Sequence, residues 1–330
     1  MIWEYILAAL LAFFVAVIVG KLMIPALVKL KFGQSILEIG PKWHMAKQGT
    51  PTMGGAIFIL ASGLATILVG IPQMCAGDFR QLLVFGFAFA FGLIGFVDDY
   101  AKVVHKQNKG LSALQKLLLQ LAVAAAFLSG LRLLGDFRSE LFIPFTDITI
   151  PIPWIPYLIF MIFVAVAMVN AVNLTDGIDG LATCVTIPVM LFYVILAVVL
   201  AAPAVGLFAA ALIGALFGFL VYNFNPAKVF MGDTGSLFLG GAVCGLAFAF
   251  DMPLILIPVG IIYIAETCSV VLQVLYFKAT HGKRLFKMAP LHHHFEIKGW
   301  SEKKLCFVFT VITIIGCIVA LFGVRARFPF

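Results

Sequence analysis

Ten separate runs of predominantly apolar residues leave this chain with one kind of fold. They lie near 5–28, 54–71, 82–97, 113–134, 154–173, 180–201, 204–222, 235–250, 253–277 and 304–323. Each is close to the roughly 20 residues that a helix needs to cross a hydrocarbon layer. Inside that layer no water is available, so every backbone N–H and C=O must be paired within the segment, and a helix does this on its own. The expected architecture is therefore all-α: a polytopic integral membrane protein of about ten transmembrane helices, forming one domain over residues 1–330. Composition agrees, with 63% hydrophobic and only 11% charged residues, against about a quarter charged in a soluble domain. The first run follows Glu4 rather than a basic stretch and is too long for a signal-peptide core, so it is expected to be retained as a helix.

Charge orients these helices. Of the 22 Lys and Arg residues, seventeen fall in one set of alternate loops, and five (Arg80, Arg132, Arg138, Arg325 and Arg327) fall in the other. The positive-inside rule puts the larger set in the cytoplasm and both termini outside. The net charge of +7 is thus a topology signal, and nucleic acid is not an expected partner. The six cysteines form no CxxC pair and mostly sit in or beside apolar runs, so neither a disulfide framework nor a structural zinc site is indicated. On the outer side, residues 135–153 alternate in polarity and carry Pro144, Pro151 and Pro153, a pattern that predicts a short β-hairpin. No soluble domain and no internal repeat is evident.

The polar clusters all fall on the cytoplasmic side. Asp98 and Asp99 close the third run, with Lys102 one helical turn beyond; adjacent carboxylates there can hold a divalent cation or act as base or nucleophile, and the lysine can meet a phosphate. Asn173, Asp176 and Asp179 recur every three residues at the end of the fifth run, which predicts one helical face converging on one ligand. An Asp at mid-bilayer depth costs roughly 2.5–3.5 kcal/mol, so such acids face protein, water or a ligand. The segment Asn223-Phe-Asn225-Pro226 closes the seventh run. Phe230-Met-Gly232-Asp233-Thr-Gly-Ser236 then opens the eighth as a Gly-rich turn at a helix N-terminus, a shape suited to a phosphate or a metal-bound phosphate, with Asp233 as metal ligand. Gly241 and Gly245 are expected to serve close helix packing. Residues 47–55, containing Lys47 and Thr52, carry the cap and first-turn Pro of a helix start. In the last basic loop, His292, His293 and His294 would point in different directions if extended. That disfavours zinc chelation by all three and favours contacts to a diphosphate or sugar. His44, His105 and His281 are assigned no role.

Together these motifs resemble the phospho-N-acetylmuramoyl-pentapeptide transferase family, within the polyprenyl-phosphate N-acetylhexosamine-1-phosphate transferases. Asp98-Asp99-Tyr-Ala-Lys102 is similar to the DDxxK-type signature, Asn173-Leu-Thr-Asp176-Gly-Ile-Asp179-Gly-Leu to the NxxDGxDGL stretch, and Ala289-Pro-Leu-His292-His293-His294-Phe-Glu296 to the triple-histidine loop that separates this family from its GlcNAc-1-phosphate and teichoic-acid relatives. The resemblance covers nearly the whole chain. It implies Mg2+-dependent transfer of phospho-MurNAc-pentapeptide from UDP-MurNAc-pentapeptide to undecaprenyl phosphate, giving lipid I and UMP, in a bacterial cytoplasmic membrane with the site facing the cytoplasm, and a homodimer. It further implies Asp233 and Asp99 on Mg2+, Asp98 as base or covalent nucleophile, and Lys102 and Lys116 on phosphates. Asn173, Asp176, Asp179 and Asn223 would shape the nucleoside and diphosphate pocket, with Lys47, Thr52, Phe230, Gly232 and Ser236 beside it, while the three histidines would orient the sugar-phosphate. The competing readings are a sister transferase using UDP-GlcNAc, an ion-coupled secondary transporter with acids at mid-membrane, and a membrane scaffold.

Overall fold

The structure is a computed structural model that describes residues 1–29, 47, 49–104, 110–133 and 138–325. His44 and His105 lie outside the described residues, as do Lys31, Lys42, Lys106, Lys109 and Arg327 of the charge count. The chain runs α1 (Ile2–Lys29), α2 (Gly55–Val69), α3 (Ile71–Cys75), α4 (Arg80–Val104), α5 (Ala113–Leu133), the strands β1 (Glu140–Phe142) and β2 (Thr149–Pro151), then α6 (Trp154–Thr175), α7 (Leu181–Val199), α8 (Pro203–Asn223), α9 (Gly232–Ala249), α10 (Leu256–Val259), α11 (Ile261–Ala279), α12 (Leu291–Ile297) and α13 (Glu302–Arg325). The strands pair antiparallel, Leu141 opposite Ile150, which forms the short hairpin expected in this segment.

Among the described residues, nine helices are long and apolar enough to cross a membrane. Every apolar run forms a helix, but two do so differently from the expectation. The second run gives the 15-residue α2, which at 1.5 Å per residue spans only about 22 Å. The chain bends at Gly70 and carries on as the five-residue α3, with Pro72 in its first turn. The ninth run is broken at Gly260 into α10 and α11. Pro258, lacking an N–H, removes one backbone bond just before that break.

α8 and α9 bury most of their length, whereas α1, α5 and α11 bury only a narrow stripe and present residues such as Leu10, Phe14, Leu118 and Leu275 outward. α8 and α9 therefore form the centre, with α4 packed most extensively on α9 and α1 on α8. Small residues permit this approach, since without an oil–water driving force helices in lipid associate through close van der Waals contact. Gly241 lies against Ala88 and Phe91, and Gly245 against Phe87 and Val84, the packing role expected of both.

Alternation of helix direction then places the site. The C-terminal parts of α4 and α6 and the N-terminal turns of α5 and α9 meet at one end of the bundle. Backbone pairing laces the start of α2 to the start of α9: Phe230 N–H donates to Pro51 O at 2.8 Å, and the Gly54 and Gly55 N–H groups donate to Phe230 O and Met231 O at 2.8 and 2.9 Å.

Candidate active site

The first turn of α9 leaves N–H groups with no partner inside the helix, and Met231 at its N-cap supplies no side-chain bond. Asp99, from α4, fills that place. Its Oδ2 accepts the Thr234 N–H at 2.9 Å and the Thr234 hydroxyl at 2.7 Å, and its Oδ1 accepts the Asp233 N–H at 3.2 Å. A carboxylate at the positive end of the α9 dipole is also electrostatically favoured. Gly232 makes room: its φ is +69°, and a Cβ there would press on Asp99 Oδ2 and Thr52 Oγ1.

α4 continues to Val104, so Asp98, Asp99 and Lys102 share a regular helical face. Lys102 Nζ lies 2.6 Å from Asp98 Oδ2 and 2.9 Å from Asp233 Oδ2. Lys116, in the first turn of α5, reaches the same Asp233 oxygen at 2.6 Å. The other Asp233 oxygen accepts the Asn173 amide at 2.8 Å, and that amide also donates to Ser236 Oγ at 2.7 Å. Leu111 N–H fixes Asp98 by donating to its Oδ1 at 2.8 Å. One oxygen each from Asp98, Asp99 and Asp233 lies within 4.8 Å of the others. At an effective dielectric of 20, two charges at that separation repel by about 3.5 kcal/mol. Three carboxylates facing two ammonium groups leave the cluster one negative charge in excess. Converging hard oxygen donors with residual negative charge suit a divalent cation of the Mg2+ type.

Asn173 and Asp176 join this cluster, but Asp179 does not share their helical face as the spacing predicted. α6 ends at Thr175 and Asp176 is its C-cap, so the helical period stops before Asp179 is reached. The Asp176 carboxylate has no hydrogen bond or ion pair among the described residues, and desolvation together with the charges of Asp233, Asp99 and Asp179 pushes its pKa up to about 8. Asp179 turns the other way. Its Oδ1 accepts Lys47 Nζ at 2.7 Å, while its Oδ2 accepts the Ala227 N–H at 2.9 Å and the Asn225 amide at 3.2 Å. Glu302 of α13 completes this group, accepting Lys47 Nζ at 2.8 Å and the Asp179 N–H at 2.9 Å. Asn223 is buried and engaged on both sides, taking the Thr183 hydroxyl and donating to Val229 O, each at 3.0 Å.

The three histidines are not extended. They occupy α12, and each has its own partner. His293 Nδ1 is 2.7 Å from Glu296 Oε2, and His294 Nδ1 accepts the Lys287 N–H at 3.1 Å. His292 is buried, with its ring seated against Gly177 where a Cβ would collide with Nε2. Its backbone N–H and Nδ1 both face Glu266 of α11. Sequence reasoning missed Glu266, although a lone acid within an apolar run was a legible signal. Glu302 was missed too, and no local signal marked it, because its partners lie more than 120 residues away.

Membrane helices, paired lysines and a carboxylate cluster at one end of the bundle define a multi-pass membrane protein with a site of the kind that phosphoryl-transfer enzymes use. The family model "Glycosyl transferase family 4" matches residues 81–251, and a phospho-N-acetylmuramoyl-pentapeptide-transferase signature matches residues 47–59. Proteins named phospho-N-acetylmuramoyl-pentapeptide-transferase are similar along almost the whole length: that of Clostridium acetobutylicum is 46% identical over 96% of this chain and 97% of its own, that of Staphylococcus carnosus 47% over 96% and 98%, and that of Staphylococcus aureus 48% over 97% and 98%. The chain belongs to the phospho-N-acetylmuramoyl-pentapeptide-transferase family.

Proposed function

We propose that this single membrane domain, residues 1–330, transfers phospho-MurNAc-pentapeptide from UDP-MurNAc-pentapeptide to undecaprenyl phosphate, yielding lipid I and UMP in peptidoglycan synthesis. The observation that carries this reading is the meeting of Asp98, Asp99 and Asp233 with Lys102 and Lys116 at one end of the helix bundle. An oxygen of the lipid phosphate attacks the β-phosphorus of the donor, and the bond from that phosphorus to UMP breaks, its electron pair leaving with UMP. Two phosphates 4 Å apart repel by about 4 kcal/mol at an effective dielectric of 20. Lys102 and Lys116 offset that repulsion and hold the phosphates in line. Asp98, anchored by Leu111, orients the lipid phosphate and takes any proton it carries.

Mg2+ bound by Asp233 with Asp99 would neutralise the diphosphate. Asn173 and Ser236 hold Asp233 in position, and Gly232 lets the backbone approach the phosphates. Lys47, Thr52, Asp176, Asp179, Asn223 and Phe230 line or brace the nucleoside side, and His292, His293 and His294 orient the sugar-phosphate. The enzyme sits as a homodimer in the bacterial cytoplasmic membrane, with both termini outside and this site facing the cytoplasm. There the soluble donor meets the lipid acceptor.

The deciding assay gives purified protein Mg2+, undecaprenyl phosphate and one UDP-sugar at a time. UMP is expected only with the MurNAc-pentapeptide donor; UMP from UDP-GlcNAc instead would make this the sister transferase.

A further inference from the structure

Glu266 lies in the buried stripe of α11, with no side-chain exposure. Its two oxygens have one customer. Oε1 accepts the His292 backbone N–H at 3.2 Å, one of the N–H groups left over at the start of α12, and Oε2 lies 3.1 Å from His292 Nδ1. At the far side of the ring, Nε2 is buried and has no protein partner among the described residues. It faces Gly177, next in sequence to Asp176.

We propose that Glu266 is a positioning residue that fixes the His292 imidazole with its proton on Nδ1, leaving the Nε2 lone pair to accept a hydrogen bond from a hydroxyl or amide N–H of the sugar-phosphate donor. This rests on the reading of His292 as a donor-facing residue given above. An ionised carboxylate only accepts. With Oε1 taken by a backbone N–H, Oε2 requires a proton on Nδ1, and in a neutral ring that leaves the lone pair on Nε2. The same division of labour, in which a buried carboxylate orients an imidazole whose other nitrogen acts, recurs in unrelated sites. The carboxylate is needed and an isostere will not serve. A glutamine has one acceptor oxygen, which the backbone N–H claims, so its amide N–H2 would confront Nδ1 and drive the proton to Nε2.

The test uses full-length protein in lipid nanodiscs, with 15N-labelled histidine and the His292 signals assigned by difference from His292→Gln. The wild type is expected to show the Nδ1–H pattern and Glu266→Gln the reverse. Turnover measured as UMP release should fall roughly 10- to 100-fold in Glu266→Gln, with KM for undecaprenyl phosphate nearly unchanged, and Glu266→Asp should keep the wild-type pattern and regain part of the rate. An Nε2–H pattern for His292 in the wild type overturns the proposal whatever the Glu266 variants show. So does a Glu266→Gln protein that loses activity while its histidine signals stay put, since the residue would then act only through packing, and so does a shifted tautomer with normal turnover. If the wild type releases no UMP from any donor, the transferase reading fails, and the nitrogen signals still decide the pairing.

Discussion

Lys116 Nζ and Lys102 Nζ converge on a single oxygen of Asp233, at 2.6 and 2.9 Å, although the three residues come from three helices. Two ammonium groups on one carboxylate oxygen occupy the place where a cation and phosphates would gather. Replacing Asp233 with Asn leaves the lysines without their shared anion and is expected to lower UMP release by at least about 100-fold, the scale seen when one fixed electrostatic group is lost. Near-normal turnover would remove Asp233 from the reacting site.

Asp99 acts as the N-cap of α9 from another helix. In Asp99→Asn the amide N–H2 must face a backbone N–H, so one bond is lost. The expected cost is about 1 kcal/mol of stability, seen as a lower thermal midpoint in detergent, together with a higher Mg2+ requirement for UMP release if Asp99 shares the proposed Mg2+ site with Asp233. An unchanged midpoint would show that the cap contributes nothing.

Asp176 gives the site a pH signature. Its folded pKa of about 8 stands above the ordinary 3.8, so the folded protein holds a proton that the unfolded chain has released. The resulting stabilisation is complete below pH 3.8, declines as pH rises and is gone above about 8. Thermal midpoints in EDTA should therefore fall between pH 5 and pH 8.5, and Asp176→Asn should remove that component. Parallel pH curves for the two proteins would contradict it.

Lys47 is held between Asp179 and Glu302, and it ties the α2 approach to the turn after α6 and to the start of α13. Lys47→Met leaves two carboxylates facing each other and should cost roughly 1–3 kcal/mol. Adding Glu302→Gln should restore part of this, giving a coupling energy in a double-mutant cycle. Strictly additive midpoints would mean the network carries no energy.

Gly177→Ala inserts a methyl where the His292 ring lies. The ring must move, so turnover should drop at least about tenfold with little loss of global stability. A fully active Gly177→Ala protein would show that the ring's place is not needed.

The all-α membrane class, the placing of the apolar helices, the short hairpin and the principal acids could be read from the sequence because each depends on local chemistry. A long apolar run must become a helix in lipid, although the breaks at Gly70 and Gly260 were not expected, and Asp98 and Lys102 lie four residues apart on one face whatever surrounds them. Partner choice is not local. Only the tertiary structure decided that Asp99 caps α9, that Lys116 shares Asp233 with Lys102, that Asp179 turns from Asp176 toward Lys47 and Glu302, and that Glu266 holds His292. Each of these depends on where one helix ends and which neighbour's end it meets, and small residues packing in the buried α8–α9 centre determine that. The residue pattern states which groups carry charge; the packing of distant helices determines which of them touch.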